Sequence, residues 1–218
     1  AVPVQTGLRL LAALAEANVG DAVITDVGST KASTVVEAEQ LLPRPDLFVG
    51  SHPMAGAETS GPGAARADLY DGKPVVLTPT DRTDAGALAQ VESLWRWLQM
   101  RVHRMSPADH DRAVAAISHL PHAVSVLLMQ LAGQSDGLPL ASSGLADMTR
   151  LAGGDVTMWA DIFSDNAPAV REAIDQYRAM LDAFATALDA GDRSALEQCL
   201  ESARRQRQAW IDAVRGGA

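Results

Sequence analysis

The chain contains one cysteine in 218 residues and few basic groups. A single thiol, Cys199, excludes an internal disulfide framework and is typical of a reducing cytoplasm, which is where we expect this protein. Lysine and arginine number 18 against 27 acidic residues, which gives a net charge of −9. This balance excludes the extended basic surface that binds nucleic acid or an anionic membrane, so neither partner is expected. Small anions can still bind at single basic side chains or helix N-termini.

Long hydrophobic runs are also missing. No stretch reaches the ~18 consecutive apolar residues that a membrane span requires. Residues 8–15 come nearest to the apolar centre of a signal peptide, but Arg9 and Glu16 interrupt the pattern. A hydrophobic content of 47% is sufficient for a packed core, and the length allows one large or two small domains.

The pattern that is present changes near residue 105. Up to that point short β-like runs alternate with helical stretches, which is typical of an α/β layer. The runs are residues 23–25, 47–49, 74–78 and 102–105, and the helical stretches lie near 5–17, 30–42 and 84–98. From residue 106 the strands stop, so we predict an α/β domain over residues 1–105 and an all-helical domain over 106–218.

Helix signals fill the second part. Ser106 and Pro107 predict a helix start, with apolar periodicity to about Leu131. A loop is expected at residues 133–144. Asp165 is expected to open a long helix to about Gly191, and Asp192 or Ser194 a last one to Val214.

A lone histidine follows the apolar run at residues 47–49. His52 precedes Pro53, which disfavours a helical conformation at His52, and Gly56 allows close approach of a ligand or turn. Loops after strands carry the chemistry of many α/β enzymes, and an imidazole can exchange a proton near neutral pH. An isolated His-Pro dipeptide is also a common strand-capping turn, so this segment alone does not decide between the two.

Six segments in a fixed order carry more information than this loop. They are DVGSTK at 26–31, GSHPMAGAETSG at 50–61, LYDGKPVVLTPT at 69–80, HDRAVAAISHLPHAV at 110–124, LADMTRLA at 145–152 and MWADIF at 158–163. Together they cover nearly the whole chain, which resembles the prephenate/arogenate dehydrogenase family of tyrosine biosynthesis. The resemblance implies a Rossmann-like dinucleotide-binding domain, an all-α domain that forms a homodimer, and oxidative decarboxylation of a cyclohexadiene acid with NAD or NADP.

The resemblance also implies roles for single residues. His52 becomes the proton acceptor, with Ser29 as its partner and Arg150 as a clamp for a substrate carboxylate, since a guanidinium matches two carboxylate oxygens. The remaining substrate contacts implied are His122, His119 and Glu58, and the cofactor contacts are Ser29 and Lys31. Each residue also has an ordinary use: Ser29 as a helix cap, Lys31 and Glu58 as solvated charges, Arg150 in a surface ion pair.

Other histidines and aromatics receive structural interpretations. His119 and His122 stand three apart with Pro121 between them, which predicts a kink or break in the helix. No metal is expected, because no cysteine or carboxylate lies at matching spacing. His103 and His110 are interpreted as surface or structural, and Trp159 as a core residue.

The sequence has no G-x-G-x-x-G turn after a strand, and the acidic residue expected about 20 positions later is also missing. Residues 1–4 resemble the end of a middle strand, so an N-terminally truncated dehydrogenase is expected. The alternative is a non-catalytic helical dimer module that has lost its phosphate-binding turn. Prephenate versus arogenate, and NAD versus NADP, stay open. The residues expected at the dimer interface are Val170, Ile174, Tyr177, Leu181, Phe184, Leu188, Leu196, Leu200 and Ile211.

Overall fold

The structure is a computed structural model that describes residues 4–17, 19–56, 63 and 65–216. The chain divides into two compact units, residues 1–170 and 171–218. Residues 106–170 fall in the first unit because the helices that follow the sheet contact α1 and α2. The strands are β1 (Ile24–Thr25), β2 (Phe48–Pro53), β3 (Pro74–Thr78) and β4 (Arg101–Arg104). The α-helices are α1 (Val4–Glu16), α2 (Ala32–Leu41), α3 (Ala85–Trp97), α4 (Pro107–Val114), α5 (Leu120–Gly133), α6 (Ser143–Thr149), α7 (Val156–Asp165), α8 (Ala167–Asp189) and α9 (Arg193–Gly216).

The four strands form one mixed sheet in the order β1-β2-β3-β4. β1 pairs parallel to β2 and β3 parallel to β4, whereas β3 runs antiparallel to β2, with His52 opposite Val76. An antiparallel neighbour needs no crossover helix, so residues 54–73 can join the two central strands directly. The Rossmann-like expectation is confirmed, and each predicted β-like run overlaps a strand. The run expected at residues 47–49 extends to Pro53, so His52 lies within β2 and the expectation that it lies in a loop after the strand is wrong. Val4 lies in α1 rather than in a strand.

Alternation along β2 gives the sheet its two covered faces. Phe48 packs with α1 and α2, whereas Val49 packs with α3. This is the period-2 pattern of a strand that is buried on both sides. Gly50 faces α2, and a Cβ there would lie 3.0 Å from Val35 and closer still to the Thr78 hydroxyl. The glycine therefore lets α2 pack closely on the strand that carries His52.

The helix start at Ser106 is confirmed, because its hydroxyl accepts a hydrogen bond from the Asp109 N–H at 3.1 Å. After α4 the helix widens into a π-helical turn, Ala115–His119, in which the Leu120 N–H bonds to the Ala115 carbonyl. Pro121 follows in the first turn of α5. A proline cannot donate and its ring crowds the preceding turn, so the wider turn accommodates it.

Two helix boundaries differ from the sequence prediction. The helix expected from Asp165 begins instead at Ala167, because Asp165 ends α7 and Asn166 has a non-helical backbone conformation. The loop expected at residues 133–144 contains a 3₁₀ turn, Leu138–Leu140, and α6 begins at Ser143.

The segment Pro107–Gly133 is long and apolar enough to cross a membrane, by length and composition alone. The sequence criterion of ~18 consecutive apolar residues missed this segment, because charged residues such as Asp109, Asp111 and Arg112 interrupt it. The segment carries His110, Asp111, His119 and His122, all of them buried in the first unit. His110, Asp111 and His119 have hydrogen-bond partners among the described residues, as buried polar groups usually do, whereas Nδ1 of His122 has none.

The second unit contains α8 from Arg171 onwards and the whole of α9. Its charged side chains form pairs three or four positions apart, such as Arg171–Asp175 and Arg193–Glu197, and these pairs are exposed. Large apolar side chains are exposed on both helices within the described chain. They are Met180, Leu181, Phe184, Leu188, Leu200, Trp210 and Val214.

Candidate active site

His52 lies near the end of β2 and lines a cleft of about 210 Å³. The other walls come from the loop before α2, the loop after β2, the π-turn and α7. Their lining residues are Ser29, Pro53, Met54, Ala55, Ser118, His119, Met158, Trp159 and Ile162. Two predicted site residues, Ser29 and His119, are thus brought together with His52.

A chain of hydrogen bonds leads from His52 into the interior. Its Nδ1 lies 2.9 Å from Nε2 of His110, and Nδ1 of His110 lies 2.7 Å from Oδ1 of Asp111. His110 is fully buried and Asp111 nearly so. The sequence interpretation of His110 as surface or structural therefore missed its contact with the candidate base. The His-Asp dipeptide at the start of α4 was the available signal, but nothing local shows that it faces β2.

Asp111 also caps α2 from a distance. Its Oδ1 accepts from the Lys31 N–H at 2.8 Å and its Oδ2 from the Ala32 N–H at 2.9 Å. Burial raises the pKa of the Asp111 carboxyl, but hydrogen bonds from His110 and from the two backbone N–H groups outweigh it and leave the pKa below its usual value. Asp111 is therefore ionised at neutral pH. Ser29 does not cap α2, contrary to its ordinary interpretation.

Lys31 differs from the expectation of a cofactor contact or solvated charge. Its side chain is fully buried, and its ammonium pairs with Asp26. Asp26 also accepts from the backbone N–H groups of Gly28 at 2.8 Å and Ser51 at 3.0 Å. Burial lowers the pKa of Lys31, and Asp26 opposes that shift. The side chain holds the loop before α2 against β2 and does not reach the cleft.

His119 has a partner of its own. Its Nδ1 lies 3.2 Å from the Asn166 amide nitrogen, which also donates to the Asp111 backbone carbonyl at 2.8 Å. Both His119 and Asn166 are buried. Sequence reasoning missed Asn166, because it lies between two helices and resembles an ordinary helix-boundary residue.

His122 lies behind the cleft and is not one of its lining residues. It is buried and stacked on Trp159 with ring centroids 3.6 Å apart, and Phe163 packs against both rings. Its Nδ1 has no hydrogen-bond partner among the described residues. A Cβ at Gly154 would lie 2.9 Å from His122 and 2.8 Å from Trp159, so this stack requires a glycine there. Trp159 both packs in the interior and lines the cleft.

The cleft imidazoles are neutral at physiological pH. Burial, with a smaller contribution from nearby His110, Lys31 and His119, lowers the pKa of His52 to about 3 although Asp111 opposes the shift. Burial likewise lowers the pKa of His119 to about 4 and lowers the pKa of His122. A neutral imidazole has one nitrogen that can accept a proton, so His52 is in the form that a general base requires.

Arg150 is not brought to the cleft. Arg150 is exposed at the start of a 3₁₀ turn, Arg150–Gly153, and does not line the cleft. Glu58 lies outside the described residues. In the described part of the chain, no group of three or more His, Cys, Asp or Glu is arranged to hold a metal ion.

A second, apolar cleft of about 290 Å³ lies beside β1. α1 forms much of its lining through Leu10, Leu11 and Leu14, and the loop after β1 contributes Val27 and Gly28. Ser29, the next residue, lines the cleft that contains His52. The loop at residues 26–29 therefore forms part of the wall of both clefts.

Family models match both parts of this architecture. Residues 1–104 match the nucleotide-binding domain of prephenate dehydrogenase, and residues 106–202 match its dimerization domain. The chain belongs to the prephenate/arogenate dehydrogenase family, whose members are oxidoreductases.

Individual relatives agree with this assignment. The chain is 35% identical to prephenate dehydrogenase of Bacillus subtilis, over 94% of this chain and 57% of that protein. It is 34% identical to cyclohexadienyl dehydrogenase of Zymomonas mobilis, over 95% of this chain and 73% of the relative. The chain thus spans between about half and three quarters of the length of these proteins.

Two solved structures have the same fold. Prephenate dehydrogenase from Aquifex aeolicus, in complex with hydroxyphenyl propionate and NAD+, superimposes with a TM-score of 0.87 at 33% identity, over 95% of this chain and 74% of that one. Arogenate dehydrogenase from Synechocystis gives a TM-score of 0.85 at 33% identity, over 96% and 77%.

Proposed function

We propose that this protein is a prephenate dehydrogenase, which converts prephenate to 4-hydroxyphenylpyruvate with NAD or NADP in tyrosine biosynthesis. The observation that carries the proposal is the position of His52. Its Nδ1 is engaged by His110, so Nε2 is the nitrogen left for a ligand in the cleft. Its pKa, lowered to about 3, keeps the ring neutral and ready to accept a proton.

The reaction needs little more than a positioned base. Loss of CO2 and of a hydride from prephenate yields an aromatic phenol, so the driving force lies in the substrate. His52 Nε2 accepts the proton of the ring hydroxyl, and that proton returns to the phenol oxygen when the ring becomes aromatic. Ser29 lines the same cleft, and its hydroxyl is the proposed hydrogen-bond partner of that oxygen. His119, His122, Arg150 and Glu58 remain the proposed substrate contacts, with Arg150 as the carboxylate clamp.

The residues present fit the nicotinamide end of a dinucleotide. The loop at 26–29 borders both the apolar cleft and the cleft with His52, so a flat ring against it would lie beside the substrate. When bound, the oxidised cofactor supplies the acceptor for the hydride. Ser29 is the proposed contact, whereas Lys31 contributes through the loop it holds. These 218 residues contain no glycine-rich phosphate turn.

A homodimer in the cytoplasm is part of the proposal. The match to a dimerization domain supports it, and so do the exposed apolar side chains of α8 and α9. Burying such side chains against a second copy would stabilise the dimer by roughly 25 cal/mol of free energy per Å² of apolar surface removed from water.

Arogenate is the second candidate substrate. Similarity to an arogenate dehydrogenase of known structure and to a cyclohexadienyl dehydrogenase favours it. The two substrates differ in their side chain, a keto acid in prephenate and an amino acid in arogenate.

Steady-state assays of the full-length protein with each substrate and each cofactor test the proposal. We expect prephenate-dependent reduction of NAD or NADP, with release of CO2 and 4-hydroxyphenylpyruvate. A kcat/KM at least tenfold higher for arogenate would assign the second substrate. Absence of turnover with both would contradict the proposed function.

A further inference from the structure

We infer that Asp111 fixes the ring protons of both imidazoles in the cleft, so that His52 presents a hydrogen-bond acceptor and His119 presents a donor. The inference rests on the proposed function, because it explains how His52 is held ready as the base. His110, Asp111 and Asn166 are then positioning residues, since none of them lines the cleft.

The first chain starts at the Asp111 carboxylate. An ionised carboxylate can only accept, so the His110 Nδ1 that lies 2.7 Å away carries the proton. With this single ring proton on Nδ1, His110 presents the lone pair of Nε2, which lies 2.9 Å from Nδ1 of His52. The proton of that contact therefore belongs to His52 Nδ1. His52 Nε2 is left with a lone pair, as a base for a substrate hydroxyl requires.

The carboxylate itself cannot rotate freely. Its two oxygens accept from the backbone N–H groups of Lys31 and Ala32, at 2.8 and 2.9 Å. Because α2 packs on the same sheet that carries His52, these bonds fix the carboxylate relative to the base at the other end of the chain. Asp111 thus caps α2 and orients His110 at the same time.

The second chain starts at the Asp111 backbone carbonyl. A carbonyl accepts, so the side-chain group of Asn166 that lies 2.8 Å away is its NH₂. The second hydrogen of that NH₂ is donated to His119 Nδ1 at 3.2 Å. Neutral His119 therefore carries its own proton on Nε2 and offers an N–H to the cleft.

The two chains give the cleft complementary polar groups. The lone pair at His52 suits a hydroxyl that loses its proton, and the N–H at His119 suits a carboxylate or carbonyl oxygen of the same ligand. If the tautomer of one ring were reversed, both imidazoles would present donors to the ligand or both would present acceptors. Because each imidazole depends on a different atom of Asp111, the two tautomers can be changed separately.

Nitrogen-15 NMR of the full-length protein labelled at its five histidines tests the inference. In the native protein at neutral pH we expect protonated Nδ1 and unprotonated Nε2 at His52, and the reverse at His119. Substitution of each histidine assigns the signals. Native His52 with its proton on Nε2, or native His119 with its proton on Nδ1, would overturn the inference without any variant.

Asp111→Leu and Asn166→Leu change one chain each. A leucine cannot accept from His110 Nδ1, so Asp111→Leu should release the His110 proton and let His52 carry its proton on Nε2 as well as on Nδ1. His119 should stay unchanged, and kcat should fall by at least about tenfold with KM within a few fold, because a wrong tautomer cannot act as the base. Asn166→Leu should change His119 alone. His103→Gln, at an exposed position on β4, is the matched control and should change neither ring.

These outcomes separate the inference from the proposed function. An unchanged His52 tautomer in Asp111→Leu would overturn the positioning role of Asp111. A switched tautomer with kcat unchanged would leave the hydrogen-bond chain in place and would contradict His52 as the base.

Discussion

The two compact units differ in how they pair their charges. The first unit has exposed local pairs such as Arg112–Asp109, but it also has the buried Lys31 ammonium beside Asp26 and buried hydrogen bonds that span long sequence distances, such as the Lys31 backbone N–H to the Asp111 carboxylate across 80 positions. In the described part of the second unit the ion pairs are exposed and local, as in Arg171–Asp175. A buried charged group loses its hydration, so it is costly unless it is paired. An exposed pair stays hydrated and contributes little to the free energy of unfolding. In the first unit the buried polar contacts therefore hold the side chains around the cleft in place. In the second unit the ion pairs lie on the solvent-exposed surfaces of the helices.

Removing one buried partner should have the largest effect on stability. Asp26→Ala would leave the buried Lys31 ammonium and the N–H groups of Gly28 and Ser51 without their acceptor. We expect the free energy of unfolding to fall by about 3–5 kcal/mol in urea titrations. Asp26→Ala combined with Lys31→Met should recover part of the loss.

Asp175→Ala in the second unit is the matched control. This carboxylate is exposed and pairs with Arg171 and Arg178 on the same helix, so no measurable change in stability is expected. Equal losses for Asp26→Ala and Asp175→Ala would remove the distinction between the two units.

The exposed apolar side chains of the second unit provide the next test. Leu188 on α8 is 55% exposed. If a second copy covers it, Leu188→Asp should place a charge in the interface and convert the protein to monomer in light scattering at micromolar concentration. Trp97→Asp on α3, where the side chain is 78% exposed, should leave the assembly unchanged. A native protein that is already monomeric would contradict the proposed dimer.

Stability of the first unit should depend on pH through its cleft histidines. Burial lowers the pKa of His52 to about 3 and that of His119 to about 4, whereas in the unfolded chain both titrate near 6.5. Below pH 6.5 the unfolded chain binds protons that the folded protein does not, so the free energy of unfolding falls as pH drops from about 6.5 towards 3, by at most about 1.4 kcal/mol per pH unit for each group.

Denaturant titrations at a series of pH values check this slope. His52→Asn should flatten it, and His103→Asn, at an exposed position, should not. A slope that is identical in His52→Asn and in the native protein would show that the ring titrates alike in the folded and unfolded states.

Local signals made much of this fold predictable. The short β-like runs locate the strands, and Ser106 with Pro107 locates the start of α4, because these signals act within a few residues. His52 was predictable as a site residue because it follows an apolar run, but the structure places it inside β2 and not in a loop after a strand. Ser29 and His119 came from resemblance to a family, and the structure places both in the cleft.

Long-range partners could not be predicted. His110 was interpreted as a surface or structural residue, yet it bonds His52 across 58 positions. No periodicity in the sequence encodes this contact, because it depends on how α4 packs against the end of β2. Lys31 had the ordinary interpretation of a solvated charge although Asp26 is only five positions away, because its burial depends on how the loop before α2 packs on the sheet.

Turnover of prephenate by His52→Asn tests the central claim most directly. The full-length variant should lose about 10²–10⁴-fold in kcat, with KM within a few fold of the native value, because a proton acceptor acts mainly in the transition state. His103→Asn, measured in parallel, should keep native kcat. If His52→Asn retained kcat within a few fold, His52 would not be the base and the proposed mechanism would be wrong.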